Sequence, residues 1–499
     1  PTGSKITSLL REDVERGFET GKQEVGGRVD FGAYRTPEDF IEAAEKLTHP
    51  FDGPTYAGDL LLRCVFENFT LGPKAIGLKR RAALDYYAEK KRDWEALEKS
   101  SHEKLPKVKQ EIIKDKAFLL LQNMANDAGY PDNGVAASGL LGTRLTGLAE
   151  PTKAFPEMMR PAAMSDKDVL RASKWTRRSV LGACKSSGLK QQDLELWEVT
   201  LEEKRRGWLT GPFTEDELSK RFGSAWVVSP RFGVRQGSKL RPVDNMSEAF
   251  INAAFGAQEK LDLQGVDLLA ALARAMLCCV GDDRSVTLVL STGEVLVGTL
   301  AAELSLLEAR ELVGRTLDLD SAYKQLFVSP TSDWAAVVCV YCPATGRPAL
   351  FCSDAVPFGA TSAVFSFSRQ ARCLWFVGVV TLSLLWTNFY DDFPHLGVKA
   401  EGDGAWAAAE EFFDLVGWKV STKPSKRKTM AAEFEVPGVV VDFAQSHSGN
   451  FELRNKPDRI VAIGEFVDEF RRRGSMTASE AASLRGRFQF AEGQCFAKM

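Results

Sequence analysis

The sequence predicts an α+β protein in which a mainly helical N-terminal region, residues 1–195, precedes a part built of short strands and helices. Three observations predict it. Residues 34–116 carry apolar stripes and mixed charges at helical spacing. From Trp197 onward, short apolar runs are bounded by Gly, Pro and Asn turn signals. Two acidic sites, Asp318 and the pair Asp391-Asp392, each end an apolar approach, as residues held at strand ends do.

Composition narrows the class. A chain of 499 residues has material for two to four domains, and 44% hydrophobic with 26% charged residues excludes disordered and fibrous proteins. The net charge of -3 excludes a uniformly basic surface, so any polyanion contact must be local. Two segments qualify: 231–241, with Arg231, Arg235, Lys239 and Arg241 and no acid, and 419–428, with Lys419, Lys423, Lys426, Arg427 and Lys428 and no acid. Nine cysteines without regular spacing predict a reducing compartment, intracellular and either cytoplasmic or nuclear, and no secretory signal is present. The chain starts at Pro1 and stops at Met499, which predicts a fragment of a longer polyprotein. The apolar run 373–386 falls short of the ~20 residues that span a bilayer, so no membrane partner is predicted. It reads as buried core.

In order, Thr36-Pro37-Glu38-Asp39 starts a helix over 34–47, and an apolar stripe follows over 57–69. Residues 75–116 form a charge-rich helical stretch whose alternating signs read as a solvated face. Residues 127–155 read as a Gly- and Pro-rich loop region and 166–182 as a helix; nothing in 1–195 is assigned a chemistry. A strand over 225–230 leads into two strands joined at Gln236-Gly237-Ser238, either an exposed hairpin or a basic flap over a polyanion. Residues 261–280 are an apolar-periodic helix, and Gly281-Asp282-Asp283 after it is a surface turn. A strand over 312–320 carries the first acidic site, and a hairpin over 334–353 follows. Cys339 and Cys342 fall on opposite strand faces, and four His with no second Cys pair give no zinc site. A helix over 360–375, a strand over 379–389 leading to Asp391-Asp392, a helix over 405–416, and a hairpin of 436–443 with 451–453 come next. The end is helical: 461–473, stopped at Gly474, then a helix capped by Thr477 and Glu480 through Phe488.

Adjacent aspartates after an apolar run are costly unless a cation neutralises them, and oxygen ligands suit a hard divalent ion. Two such sites that converge can hold two metal ions about 3.5–4 Å apart, the arrangement that serves in-line phosphoryl displacement.

The order of these elements resembles the reverse transcriptases of retrotransposons, nearest to DIRS-type (tyrosine-recombinase) elements and next to gypsy-type long-terminal-repeat elements, over 197–499. The resemblance implies a right-hand polymerase: fingers at 196–311, a palm with an antiparallel sheet at 312–444 in which 330–356 belong partly to the fingers, and a truncated thumb or connection at 445–499. Leu317-Asp318-Leu319-Asp320-Ser321-Ala322-Tyr323 is similar to the first palm motif, which implies that Asp318 and the Leu319 carbonyl bind metal. Tyr323 then takes the position that crowds the sugar 2′ carbon. Phe389-Tyr390-Asp391-Asp392 is similar to the metal-binding turn, Phe358-Gly359 to the loop under the incoming base, and Lys239-Leu240-Arg241 to the triphosphate grip, with Asp244 nearby. Gly207 to Phe213 and Ile251-Asn252 are similar to the start of the DIRS-type fingers. Val436-Pro437-Gly438-Val439 resembles the primer grip, although Pro437 removes a backbone donor there. Lys423 or Lys426 takes the place of the lysine that protonates pyrophosphate.

The resemblance thus implies an RNA-directed DNA polymerase with catalytic Asp318, Asp391 and Asp392. Its cofactor is a pair of Mg²⁺ ions, with Mn²⁺ as a substitute. Its partners are an RNA template, a DNA primer and deoxynucleoside triphosphates. Two alternatives stay open: a decayed retroelement product that only binds nucleic acid, and a palm-type RNA polymerase.

Overall fold

The computed structural model describes residues 56–236, 239–424 and 426–495. The helix predicted over 34–47 and the tip Gly237-Ser238 lie outside the described residues. The chain is a mixed α+β protein with a helical N-terminal region and several small sheets.

Helix α1 (Asp59–His102) opens the described chain. It is interrupted at Gly72, whose φ of 80° is left-handed and is followed by Pro73. A Cβ at Gly72 would stand 2.6 Å from the Glu303 carboxylate, so close approach and backbone conformation both require glycine. Short helices α2 (Lys107–Ile113), α3 (Phe118–Asp127) and α4 (Val135–Leu141) follow, with strands β1 (Gly147–Leu148) and β2 (Glu157–Arg160). The region 127–155 is therefore not wholly loop. Helix α5 (Asp166–Ala183) begins at a Ser165–Asp168 capping box, and α6 (Lys190–Arg205) leads to β3 (Leu209–Phe213) and α7 (Glu215–Phe222).

The largest sheet has the order β3-β11-β10-β4-β5. It contains β4 (Val228–Gln236), β5 (Lys239–Asp244), β10 (Val337–Cys342) and β11 (Arg347–Ser353), with β10 parallel to β4 and the other pairs antiparallel. The predicted hairpin is present, with Gln236 opposite Lys239. Between these strands lie β6 (Phe255–Glu259), which joins β1 and β2, helix α8 (Val266–Cys278), the hairpin β7 (Ser285–Val289) with β8 (Val295–Thr299), and helix α9 (Leu306–Arg310). The Gly281-Asp282-Asp283 segment is a turn into β7, where Asp283 accepts from Ser285 and Asp282 pairs with Arg310.

Strand β9 (Leu312–Asp318) pairs antiparallel with β12 (Asp392–Val398). Helix α10 (Thr361–Leu382) lies between them in sequence, and α11 (Gly404–Leu415) follows β12. Strands β13 (Glu433–Val436), β14 (Val439–Asp442) and β15 (Glu452–Asn455) form a three-stranded sheet, and α12 (Pro457–Arg473) and α13 (Ala478–Cys495) end the described chain.

Three expectations are corrected. The helix predicted over 360–375 runs on to Leu382, because α10 is enclosed on nearly all sides and so shows no polar face to reveal its period. No strand covers 379–389. The chain leaves α10 at Ser383 (φ 49°) and pairs only through the isolated bridges Trp386–His395 and Phe389–Asp392. Residues 436–443 are broken at Pro437-Gly438, which turns β13 into β14. No described helix is long and apolar enough to cross a membrane.

Candidate active site

The register of β9 and β12 places Asp318 directly opposite Asp392. Opposed residues of an antiparallel pair have Cβ atoms about 4.5–5.5 Å apart, so two carboxylates meet here. The third, Asp391, lies in the turn before β12. That turn is tight: the Phe389 N–H donates to the Asp392 carbonyl at 2.9 Å and the Asp392 N–H to the Phe389 carbonyl at 3.1 Å. Tyr390 takes φ 52°, a left-handed conformation that costs energy for a bulky residue and persists where the surroundings enforce it. Asn388 does so through its side-chain amide, which donates to the Tyr390 carbonyl at 2.8 Å, while the Asn388 N–H donates to Gln264 at 2.7 Å.

The strand end is braced from the other side. Ser421 N–H donates to the Asp318 carbonyl (2.8 Å), Asp320 N–H to the Lys419 carbonyl (2.9 Å), and Leu319 N–H to the Asp391 carbonyl (3.4 Å). Gln325 ties this loop in by donating to the Asp320 and Lys419 carbonyls and accepting from Lys116 Nζ at 2.7 Å. Sequence reading missed Gln264, Gln325 and Lys116. Buried amides and a buried lysine carry no local signal of what they will bond.

Burial, followed by the charge of Asp318, holds Asp391 above the usual carboxylate range, with Lys426 and Arg241 partly offsetting it. Asp392 is pushed up to about 7 by burial first, then by Asp391 and Asp318. Lys426 Nζ lies 3.2 Å from Asp318 Oδ1. Lys423, its rival, is exposed and forms no ion pair among the described residues. His395, buried on β12, is lowered to about 3 by burial and by Arg80 and Arg315, so it is a neutral ring and no base for this site.

The flanking candidates separate into those near the carboxylates and those serving the fold. Tyr323 is partly buried with its ring 5.1 Å from Phe367 and 6.1 Å from Phe358 in centroid distance, and burial, then Asp391, raises its phenol pKa. Phe358 is exposed. Gly359 has φ 125°, and a Cβ there would stand 2.1 Å from the Asp244 carbonyl oxygen. The Asn252 side chain fixes this loop by donating to the Gly359 carbonyl at 3.0 Å and accepting from Thr361 N–H at 2.8 Å. Lys239 and Arg241 are exposed on β5. Asp244, by contrast, is buried against Arg231 at 2.7 Å, and Arg231 also bonds Glu203 at 2.8 Å. Arg231 is therefore not part of any basic surface. In 419–428, Lys419 pairs with Asp115, Lys426 with Asp318, Arg427 with Glu410 and Lys428 with Glu435, so most of that charge is neutralised locally. Val436 and Pro437 line a small cavity with Phe389, Pro394 and Gln264, which brings the 436–439 turn beside the aspartate turn; Gly438 there has φ 96°, and Val439 is buried.

Among the described residues, no group of three acidic, His or Cys side chains is gathered closely enough to hold a metal ion by itself. Carboxylates that converge without enclosing a cage fit Mg²⁺, which keeps waters and takes one or two carboxylates plus substrate phosphates. They do not fit a closed structural site.

No protein-family model matches the chain, and no curated protein does. Among solved structures it is similar to a foamy viral protease-reverse transcriptase in complex with double-stranded DNA, with 12% identity and a TM-score of 0.38 over 78% of this chain and 53% of that one. The chain spans about half the length of that protein.

Proposed function

We propose that the chain is an RNA-directed DNA polymerase of a retroelement, extending a primer on an RNA or DNA template by two-metal nucleotidyl transfer. The observation that carries this reading is the convergence of Asp318, Asp391 and Asp392 across one strand pair and its turn, with Asp391 and Asp392 both held above their usual range. Such a cluster is destabilised alone and favoured when cations are present. Two Mg²⁺ ions, with Mn²⁺ as a substitute, would when bound lower the pKa of the primer 3′ hydroxyl and neutralise the triphosphate oxygens.

In this reading Asp318 and Asp391 are the main ligands, supported by Asp392 and the Leu319 carbonyl. Arg241 and Lys239 place fixed positive charge at the triphosphate, and Phe358 and Gly359 lie under the incoming base. Tyr323 lies beneath the sugar and excludes a 2′ hydroxyl. Lys426, already beside Asp318, is better placed than Lys423 to protonate the pyrophosphate. The turn at 436–439 supports the primer end. The fingers, palm and thumb would divide the chain at about 196–311, 312–444 and 445–499.

Primer extension on poly(rA) with an oligo(dT) primer, dTTP and Mg²⁺ tests the reading. Wild-type protein should extend the primer, and Asp318→Asn or Asp391→Asn should reduce the rate at least about a hundredfold, more than loss of a supporting outer-shell group. No extension with either Mg²⁺ or Mn²⁺, or full activity in either variant, would overturn it.

A further inference from the structure

Helix α5 carries a basic stripe that the fold does not use. Between residues 167 and 192 the chain has Lys167, Arg171, Lys174, Arg177, Arg178, Lys185 and Lys190 against a single acid, Asp168. Four of these, Lys167, Arg171, Lys174 and Arg178, recur at i, i+4, i+7 and i+11 and are all exposed, so they share one helix face. The opposite face, with Val169, Ser173, Thr176 and Val180, is buried against the strand β4 side of the large sheet. Arg177 is turned inward, where it donates to the Ser224 and Trp226 carbonyls and stacks on the Trp226 ring at 4.5 Å. Beside the outer stripe, Trp175 is 66% exposed. Among the described residues the stripe's only ion pair is Arg171 with Asp168 at 2.9 Å, an exposed pair of little energetic weight.

We infer that this face of α5 binds a single-stranded polynucleotide, through phosphate contacts from Lys167, Arg171, Lys174 and Arg178 and stacking of a base on Trp175. The stripe runs for about 16 Å, enough for several consecutive phosphates. One exposed indole beside a row of cations is the pairing that grips single strands without reading sequence. A membrane surface is the poorer fit, because interfacial helices insert an apolar face and that face of α5 is already packed inside the protein. The inference concerns a surface outside the aspartate site and does not require catalysis there.

The test uses the full chain and a fluorescent dT20 oligonucleotide, with anisotropy read across a salt series. The combined substitution Lys167→Gln, Arg171→Gln, Lys174→Gln and Arg178→Gln should weaken binding at least tenfold near 0.1 M salt. It should also lower the slope of log affinity against log salt by about three. Trp175→Ala should weaken binding about tenfold and leave that slope unchanged, which a merely structural role would not do. Melting temperatures of both variants should match the wild type, since the side chains are exposed. The same measurements in an Asp318→Asn background separate this inference from the polymerase reading. Loss of affinity in the stripe variant without primer extension by the wild type would keep the surface and remove the polymerase. Unchanged affinity and slope would overturn the surface even if extension succeeds, as would binding to phosphatidylserine vesicles in preference to the oligonucleotide.

Discussion

Asp392 binds its proton more tightly in the folded chain than in the unfolded one, because burial and two neighbouring carboxylates lift its pKa to about 7. The sign follows directly: ionising it opposes folding, so its cost is absent below the unfolded value near 4 and develops as pH rises through about 7. The metal-free protein should therefore lose melting temperature between about pH 4 and pH 7, and Asp392→Asn should flatten that loss. Asp391→Asn should act in the same direction, because it removes a like charge from its neighbours. Adding Mg²⁺ at pH 8 should raise the melting temperature of the wild type more than that of either variant. A pH profile indifferent to both substitutions would show that these carboxylates do not face one another. Tyr323 poses a different question. Its ring touches Phe358 and Phe367, so Tyr323→Val removes packing and should cost about 2–4 kcal/mol whatever else it does. Exclusion of a 2′ hydroxyl, the role proposed for Tyr323, would be a separate effect and would appear as a rise in the ratio of ribonucleotide to deoxynucleotide kcat/KM on substitution. A stability loss with an unmoved ratio would make Tyr323 a core residue only.

The loop ahead of α10 acts as one unit with strand β5. Phe358 accepts from the Asp244 N–H at 2.8 Å, Gly359 leaves room for the Asp244 carbonyl, and Asn252 bonds Gly359 and Thr361. Gly359→Ala places a methyl group 2.1 Å from that carbonyl at a φ of 125°, so the loop must move. It should raise the nucleotide KM several-fold, and a KM equal to wild type would detach the loop from the nucleotide. This loop was legible because Phe358-Gly359 stands directly before the helix predicted from 360, a local signal. The β4–β5 hairpin was legible for the same reason, as was the Thr477–Glu480 cap, whose reciprocal bonds are present at 2.7 and 3.2 Å. What the sequence concealed depends on distant partners. Strand β12 contains Pro394 and Gly397, which read as breakers, yet it has a regular ladder with β9 and only isolated bridges on its other side, where an irregular pairing tolerates proline. The second half of α10 gave no helical period to read because its own residues, 373–380, are apolar on every side. Three aspartates could be picked out as strand-end carboxylates, but the facing of Asp318 and Asp392 is a matter of register between segments far apart in sequence. The basic charges misled in the opposite direction: Arg231 found buried partners, while the stripe on α5 drew no attention because its residues are spread at helical intervals.

Across the whole molecule, the helical N-terminal region is joined to the carboxylate-bearing part by buried polar contacts as well as by a continuous apolar core. Lys109 reaches Asp333 at 3.0 Å and Asp354 at 3.3 Å, Asp132 holds Arg369 at 2.6 Å, and Lys116 lies 4.1 Å from the Trp418 ring centroid. Arg80 of α1 goes deepest. It donates to the Leu382 carbonyl at 2.7 Å and the Ser383 carbonyl at 3.0 Å, where α10 ends, and it pairs with Glu401 after β12. Both side chains of that pair are buried, so removing one leaves the other as an uncompensated charge. Arg80→Met should therefore cost about 3–5 kcal/mol, although it lies on the N-terminal region and far in sequence from the aspartate turn. Glu401→Gln added to it should recover part of the loss, because the stranded carboxylate is then gone. If the region 56–195 and the rest fold as one cooperative unit, Arg80→Met will lower a single melting transition seen equally by near-ultraviolet and far-ultraviolet signals. Two separated transitions, with the later one unmoved by Arg80→Met, would show that the aspartate-bearing part stands without its N-terminal helices.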